Sequence, residues 1–196
     1  FEYDCVASED SDGDYLPDAW EEAYFGDLSQ SYNDDSEDYD GVGTDDGYNN
    51  LCEYLHGTNP DDGSDYPVDN VDFTTFYVPE DVPTITSAVS DDIAVDGDTV
   101  ILQEGIYEEY FDICKNITLK GEDPSDRYKV DNTIIKVPLN WDLRMQINGD
   151  IDIEINGISF KECKEKFYLD CDSVNDNIII KNCVFAKAST EGILEE

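Results

Sequence analysis

A chain of 196 residues is long enough for one large or two small domains, and its formal charge of −38 is spread unevenly. The first 114 residues hold 33 acids and no Lys or Arg; the rest carry 16 acids against 11 bases. A segment at −33 excludes binding of nucleic acid or an anionic membrane through a basic patch, and it needs cations to stay compact. No run of 18 apolar residues exists, so no membrane insertion as a helix is expected. The six cysteines contain no CxxC, which argues against a metal–thiolate site. Cys5 with Cys52 and Cys163 with Cys171 are open pairings, and buried thiols at Cys171 and Cys183 are the alternative.

Residues 10–21 read DSDGDYLPDAWE. Counting Asp10 as position 1 puts Asp12, Asp14 and Asp18 at 3, 5 and 9, and Glu21 at 12. Leu16, at 7, offers a backbone carbonyl. Calcium takes six to eight oxygens, and this is the ligand spacing of an EF-hand loop. Tyr15 stands at position 6, where such loops want Gly. The run after Asp18 predicts a short helix ending at Gly26, with Trp20 and Tyr24 on one face. In residues 38–54, Glu53 as position 12 places Asn50 at 9 and Asp46 at 5. Asp40 or Asp45 then completes a second, less regular shell. Asn49–His56 predicts a second helix closed by Gly57, whose Leu51, Tyr54 and Leu55 pack on Trp20 and Tyr24. His56 is expected at the surface.

Residues 10–65 resemble the calcium-binding acidic repeats of thrombospondin type 3 and also dockerin and EF-hand loops. The stretch GTNPDDGSD resembles the linker between such repeats. The resemblance implies structural calcium in a rigid spacer outside the cell.

Asp, Asn, Gly and Pro dominate residues 58–75, which separates a module at 1–65, a linker at 66–75 and a second domain at 76–196. Thr84–Asp91 predicts an amphipathic turn or two with Ile85, Ala88 and Val89 on one face. Val100 and Leu102 open an inward row, 17 residues ahead of Ile117 and Leu119, with a bend at Gly105 before Ile106 and Tyr107. Three copies of one pattern follow, NITLKG (116–121), DIEING (152–157) and NIIIKN (177–182). Each pairs aliphatics two apart, the period of a half-buried strand, and ends on Gly or Asn, which bend at least cost. The second and third lie 25 residues apart, and Ile158 and Phe160 then match Cys183 and Phe185. Leu143, Met145 and Ile147 match Phe167, Leu169 and Cys171 at a spacing of 24. A strand–bend–strand repeat of this length predicts a β-solenoid, against the alternative of an antiparallel sandwich. Residues 124–142 read as an insertion, with a strand at Thr133–Val137.

The phrase VDGDTVILQEGIYEE followed by KNITLKG resembles the first coils of pectin-lyase-like proteins. That implies a mainly β, right-handed parallel β-helix with a short capping helix, here joined to a small calcium-binding helix-loop module. Lyases and hydrolases of this fold use an Arg or Lys base or paired Asp residues. Arg127 and Arg144 fall in or near the insertion. Asp150, Asp152, Asp170, Asp172 and Asp176 fall near coil edges, with Asp152 read as a turn residue. No catalytic residue is assigned. The expectation is an extracellular, calcium-binding scaffold that meets a polysaccharide or cell-surface glycan and continues into further coils. The alternative is the first piece of a polysaccharide lyase or glycoside hydrolase.

Overall fold

The computed structural model describes residues 10–30, 48–68, 71, 73–90, 93–136, 143–147, 152–163, 167–171 and 177–187. Among them are four short helices and twelve strands. The helices are α1 (Asp18–Tyr24), α2 (Asn50–His56), α3 (Ile85–Ala88) and α4 (Arg127–Asn132). The strands are β1 (Thr75–Val78), β2 (Thr99–Leu102), β3 (Gly105–Glu108), β4 (Asp112–Ile113), β5 (Thr118–Gly121), β6 (Thr133–Lys136), β7 (Leu143–Ile147), β8 (Asp152–Asn156), β9 (Ser159–Cys163), β10 (Phe167–Cys171), β11 (Asn177–Lys181) and β12 (Val184–Lys187).

They form three sheets ordered β1-β2-β5-β8-β11, β12-β9-β6-β3 and β10-β7-β4. Every pairing is parallel. The chain visits the three sheets in rotation, β2-β3-β4, β5-β6-β7 and β8-β9-β10, and then enters β11 and β12. This is a β-solenoid of about three turns, and the antiparallel sandwich is excluded.

The repeated pattern sets the register. Ile178 faces Ile153 and Ile180 faces Ile155; on the other side Leu119 faces Ile155. The backbones of Phe167, Leu169 and Cys171 are in register with those of Leu143, Met145 and Ile147. Val100, Leu102, Leu119, Ile153 and Ile155 are buried, and Ile178 and Ile180 are half-buried. On the next face Ile135 and Phe160 are buried, and the Phe160 ring stacks on Phe185 at 5.1 Å. Successive turns thus bury one another's apolar side chains, which no single turn can do alone.

Three details differ from the sequence reading. Val100 faces Leu119 and Leu102 faces Gly121, so the first turn runs 19 residues rather than 17. Asp98 fixes that offset, since its carbonyl accepts the Thr118 N–H at 2.9 Å. Gly105 is no bend: it pairs with Thr133 inside β3, and the Tyr107 hydroxyl donates to the Gln103 carbonyl at the corner before it. The proposed insertion contains a regular rung, because Thr133–Lys136 pairs with β3. The true excursion is α4, tied down where the Ser159 hydroxyl donates to the Val130 carbonyl at 2.7 Å.

The corner glycines work in different ways. Gly157 has φ 72°, and Asn182 takes its place one turn on at φ 54°. Gly121 has no positive φ, contrary to expectation. A Cβ there would lie 2.5 Å from the Gly157 carbonyl oxygen, so stacking distance demands the glycine.

At the amino-terminal end, α3 is capped by Thr84, whose hydroxyl accepts the Ser87 N–H. Ile85, Ala88 and Val89 are buried as the periodicity predicts. α2 is capped by the Asn49 side chain and closed by Gly57 at φ 75°. Leu16 and Leu51 are fully buried in one apolar cluster with Phe76, Val78, Val100 and Leu102. The acidic segment therefore lies against the first turns. Among the described residues no helix is long and apolar enough to cross a membrane.

Candidate metal centre

The loop 10–16 is built on Asp10. Its Oδ1 accepts the N–H of Gly13 at 2.8 Å and of Asp14 at 3.2 Å, and its Oδ2 accepts that of Tyr15 at 3.1 Å. Asp14 Oδ1 accepts the Leu16 N–H at 2.9 Å. These bonds curl the backbone so that carboxylate oxygens of Asp10, Asp12 and Asp14 lie within 4.8 Å of one another. Oxygens around one calcium at roughly 2.3–2.6 Å fall within such a span. Gly13 and Tyr15 both have positive φ, 77° and 79°. The loop therefore takes the left-handed turn at position 6 with a tyrosine where glycine is cheaper.

Asp18 is placed differently from the expectation. It begins α1, and its two oxygens accept the Ser11 N–H at 2.7 Å and the Ser11 hydroxyl at 2.6 Å. Those bonds hold its carboxyl below the ordinary range, the hydroxyl being the larger influence. Asp18 is a clasp that closes the loop and stands outside the cluster of three.

Glu21 lies one turn into α1. Its exposure is 0%, and neither carboxylate oxygen has a hydrogen-bond partner among the described residues. Burial, then the charges of Asp14, Asp12, Asp18 and Asp10, push its carboxyl up to about 7. An isolated buried carboxylate is costly unless paired or bound to metal. The donor set is oxygen only, which suits a hard cation such as calcium. Three converging aspartates and one orphaned buried glutamate thus fit such an ion.

Of the second predicted set, Asp40, Asp45 and Asp46 lie outside the described residues. Asn50 and Glu53 are buried on α2, and the Thr58 hydroxyl donates to Glu53 at 3.4 Å. Leu16 places its side chain in the core. Trp20 lies 5.1 Å from Tyr24 and 5.8 Å from Tyr54, as the helix faces predict.

His56 is a correction. Its side chain is fully buried and its Nε2 lies 3.2 Å from Asp98 Oδ2. Its Nδ1 lies 2.7 Å from the Cys52 carbonyl oxygen. Asp98 also accepts the N–H of Thr74 at 2.8 Å and of Val95 at 2.9 Å. A lone histidine at a helix end carries no periodicity, so sequence gave no sign of this partner across 42 residues. The Cys52 Sγ lies 3.2 Å from the Ile93 carbonyl. Cys183, also predicted as an inward thiol, is free and half-buried, while Cys5 and the side chains of Cys163 and Cys171 lie outside the described set.

Of the solenoid side chains considered for catalysis, those of Arg127 and Asp152 are among the described ones. Asp152 donates its backbone N–H to the Asn116 side chain at 2.6 Å. Asn116 in turn donates through its backbone to Asp96 at 2.8 Å and through its amide to the same carboxylate. Arg127 pairs with Asp131 on α4, exposed. Asp150, Asp172 and Asp176 lie outside the described residues, as do the side chains of Arg144 and Asp170. Asn116, Thr118, Asp152, Glu154 and Asn177 line a shallow cleft of about 200 Å³ on the five-stranded sheet.

The chain is a parallel β-solenoid whose first turns are covered by an acidic helix-loop segment. No protein-family model, curated protein or solved structure matches the chain.

Proposed function

We propose that this chain is an extracellular scaffold in which the 10–21 loop binds a structural calcium ion and the solenoid, a right-handed coil of the pectin-lyase-like kind, presents its outer faces to a glycan. The observations that carry the calcium reading are the converging Asp10, Asp12 and Asp14, and Glu21, buried without a hydrogen-bond partner among the described residues and within reach of their charges. The charge of the amino-terminal half supports it, because a cation relieves repulsion that no Lys or Arg in the first 114 residues offsets. The amide- and carboxylate-lined cleft on the five-stranded sheet supports a glycan partner, since sugar hydroxyls both donate and accept.

Calorimetric titration of chelator-treated protein tests the first part. Heat of binding with Glu21→Gln abolishing most of it is expected; no uptake at millimolar calcium would rule the reading out. A glycan array in calcium tests the second, and blank arrays would leave a spacer without a sugar ligand.

A further inference from the structure

We infer that cation occupancy of the 10–21 loop governs how firmly the amino-terminal module is seated on the first turns of the solenoid. This rests on the calcium reading above and adds a consequence to it. Residues that face the ion and residues that grip the solenoid alternate along one short stretch. Asp14 precedes Leu16, whose side chain is fully buried in the cluster containing Phe76, Val78 and Val100. Glu21 follows Trp20, which packs on Tyr54 of α2 at 5.8 Å.

α2 then grips the solenoid at three points. Leu51 enters the same apolar cluster, the Cys52 Sγ reaches the Ile93 carbonyl at 3.2 Å, and His56 meets Asp98 at 3.2 Å with both side chains at 0% exposure. Asp98 stands immediately before β2, and its carbonyl accepts the Thr118 N–H that sets the register of β5. Both ring nitrogens of His56 lie within hydrogen-bond distance of oxygens, Nδ1 at the Cys52 carbonyl and Nε2 at Asp98, so the ring ties the end of α2 to the segment before β2.

The loop's geometry therefore serves two purposes at once. With an ion present, the three aspartates stay converged, the charge of Glu21 is offset and Leu16 stays in the core. Without it, their mutual repulsion and the cost of burying Glu21 favour an opened loop, which withdraws Leu16 and loosens α1 from α2. A ligand that binds only the seated form stabilises that form by mass action. Linkage is reciprocal: if the ion strengthens seating, seating strengthens ion binding by the same factor.

Hydrogen exchange on the full chain, in millimolar calcium and in chelator, is the test. Amides of Thr75–Val78 and Thr99–Leu102 are expected to exchange about tenfold more slowly with calcium, within the ordinary range of coupling between sites. His56→Gln and Leu51→Ala, neither of which supplies a ligand to the 10–21 loop, are expected to weaken calcium binding severalfold by calorimetry. Calcium uptake with unchanged exchange in those strands would overturn the inference and leave the calcium reading standing. Absence of uptake would overturn both. If a variant does not fold, the exchange comparison on the unaltered chain still decides.

Discussion

The solenoid and the acidic module hold their shapes by opposite means. In the solenoid each turn offers the next the same apolar row, and stability accumulates from contacts such as Ile153 with Ile178 and Leu119 with Ile155. The module has two seven-residue helices, too short to persist alone in water. Its loop turns several like charges towards one point. It leans on the solenoid through Leu16, Leu51 and His56. The repeating fold rests on stacked apolar rows, whereas the module gathers like charges at one point and borrows its support from its neighbour.

That contrast can be broken most forcefully in the stack. Phe160→Ala removes a fully buried ring, and Ile155→Ala a fully buried aliphatic between two neighbours. Losses of about 3–5 and about 2–5 kcal/mol are expected by urea denaturation. Calcium should not restore either. Gly121→Ala comes next, with a loss of about 1–3 kcal/mol or more, because its Cβ would press on the Gly157 carbonyl.

The module should respond to pH where the stack does not. The Glu21 carboxyl is raised to about 7, above its unfolded value, so the folded, metal-free chain binds the extra proton between those two values. Its stabilising effect is present at the acidic side of that window and is lost as pH rises through about 7. Calcium needs the ionised form, so its affinity should move the other way. A fall of about tenfold is expected from pH 8 to pH 6, from one proton displaced at a site titrating near 7. Whatever binding Glu21→Gln retains should show no such dependence in calorimetry. Identical affinities at both pH values would detach Glu21 from the site. The smallest effect belongs to Arg127→Ala, whose partner Asp131 is exposed on α4: the melting temperature should not move measurably.

How much could be read in advance follows the same division. Strands β5, β8 and β11 were legible because their aliphatics recur at period two and each copy ends on Gly or Asn. The strand at Thr133–Lys136 was legible too, but its place as a regular rung was obscured by α4 ahead of it, and the offset of Val100 by a first turn of its own size. The convergence of Asp10, Asp12 and Asp14 was legible from spacing alone. The part of Asp18 was not, since Ser11, its partner, belongs to no ligand pattern. Contacts such as His56 with Asp98 arise only when two distant segments are folded together, and no local periodicity announces them.

The close approach of Gly121 to Gly157 also says where this architecture has room to vary. That corner has backbone against backbone, with no space even for a methyl group, so an added loop has no way in there. Extra chain must instead leave just after it, as it does at residues 122–132, where α4 sits beside β6 and β9. New binding features on such a frame would be grafted at that exit, with the seam of tight corners left untouched.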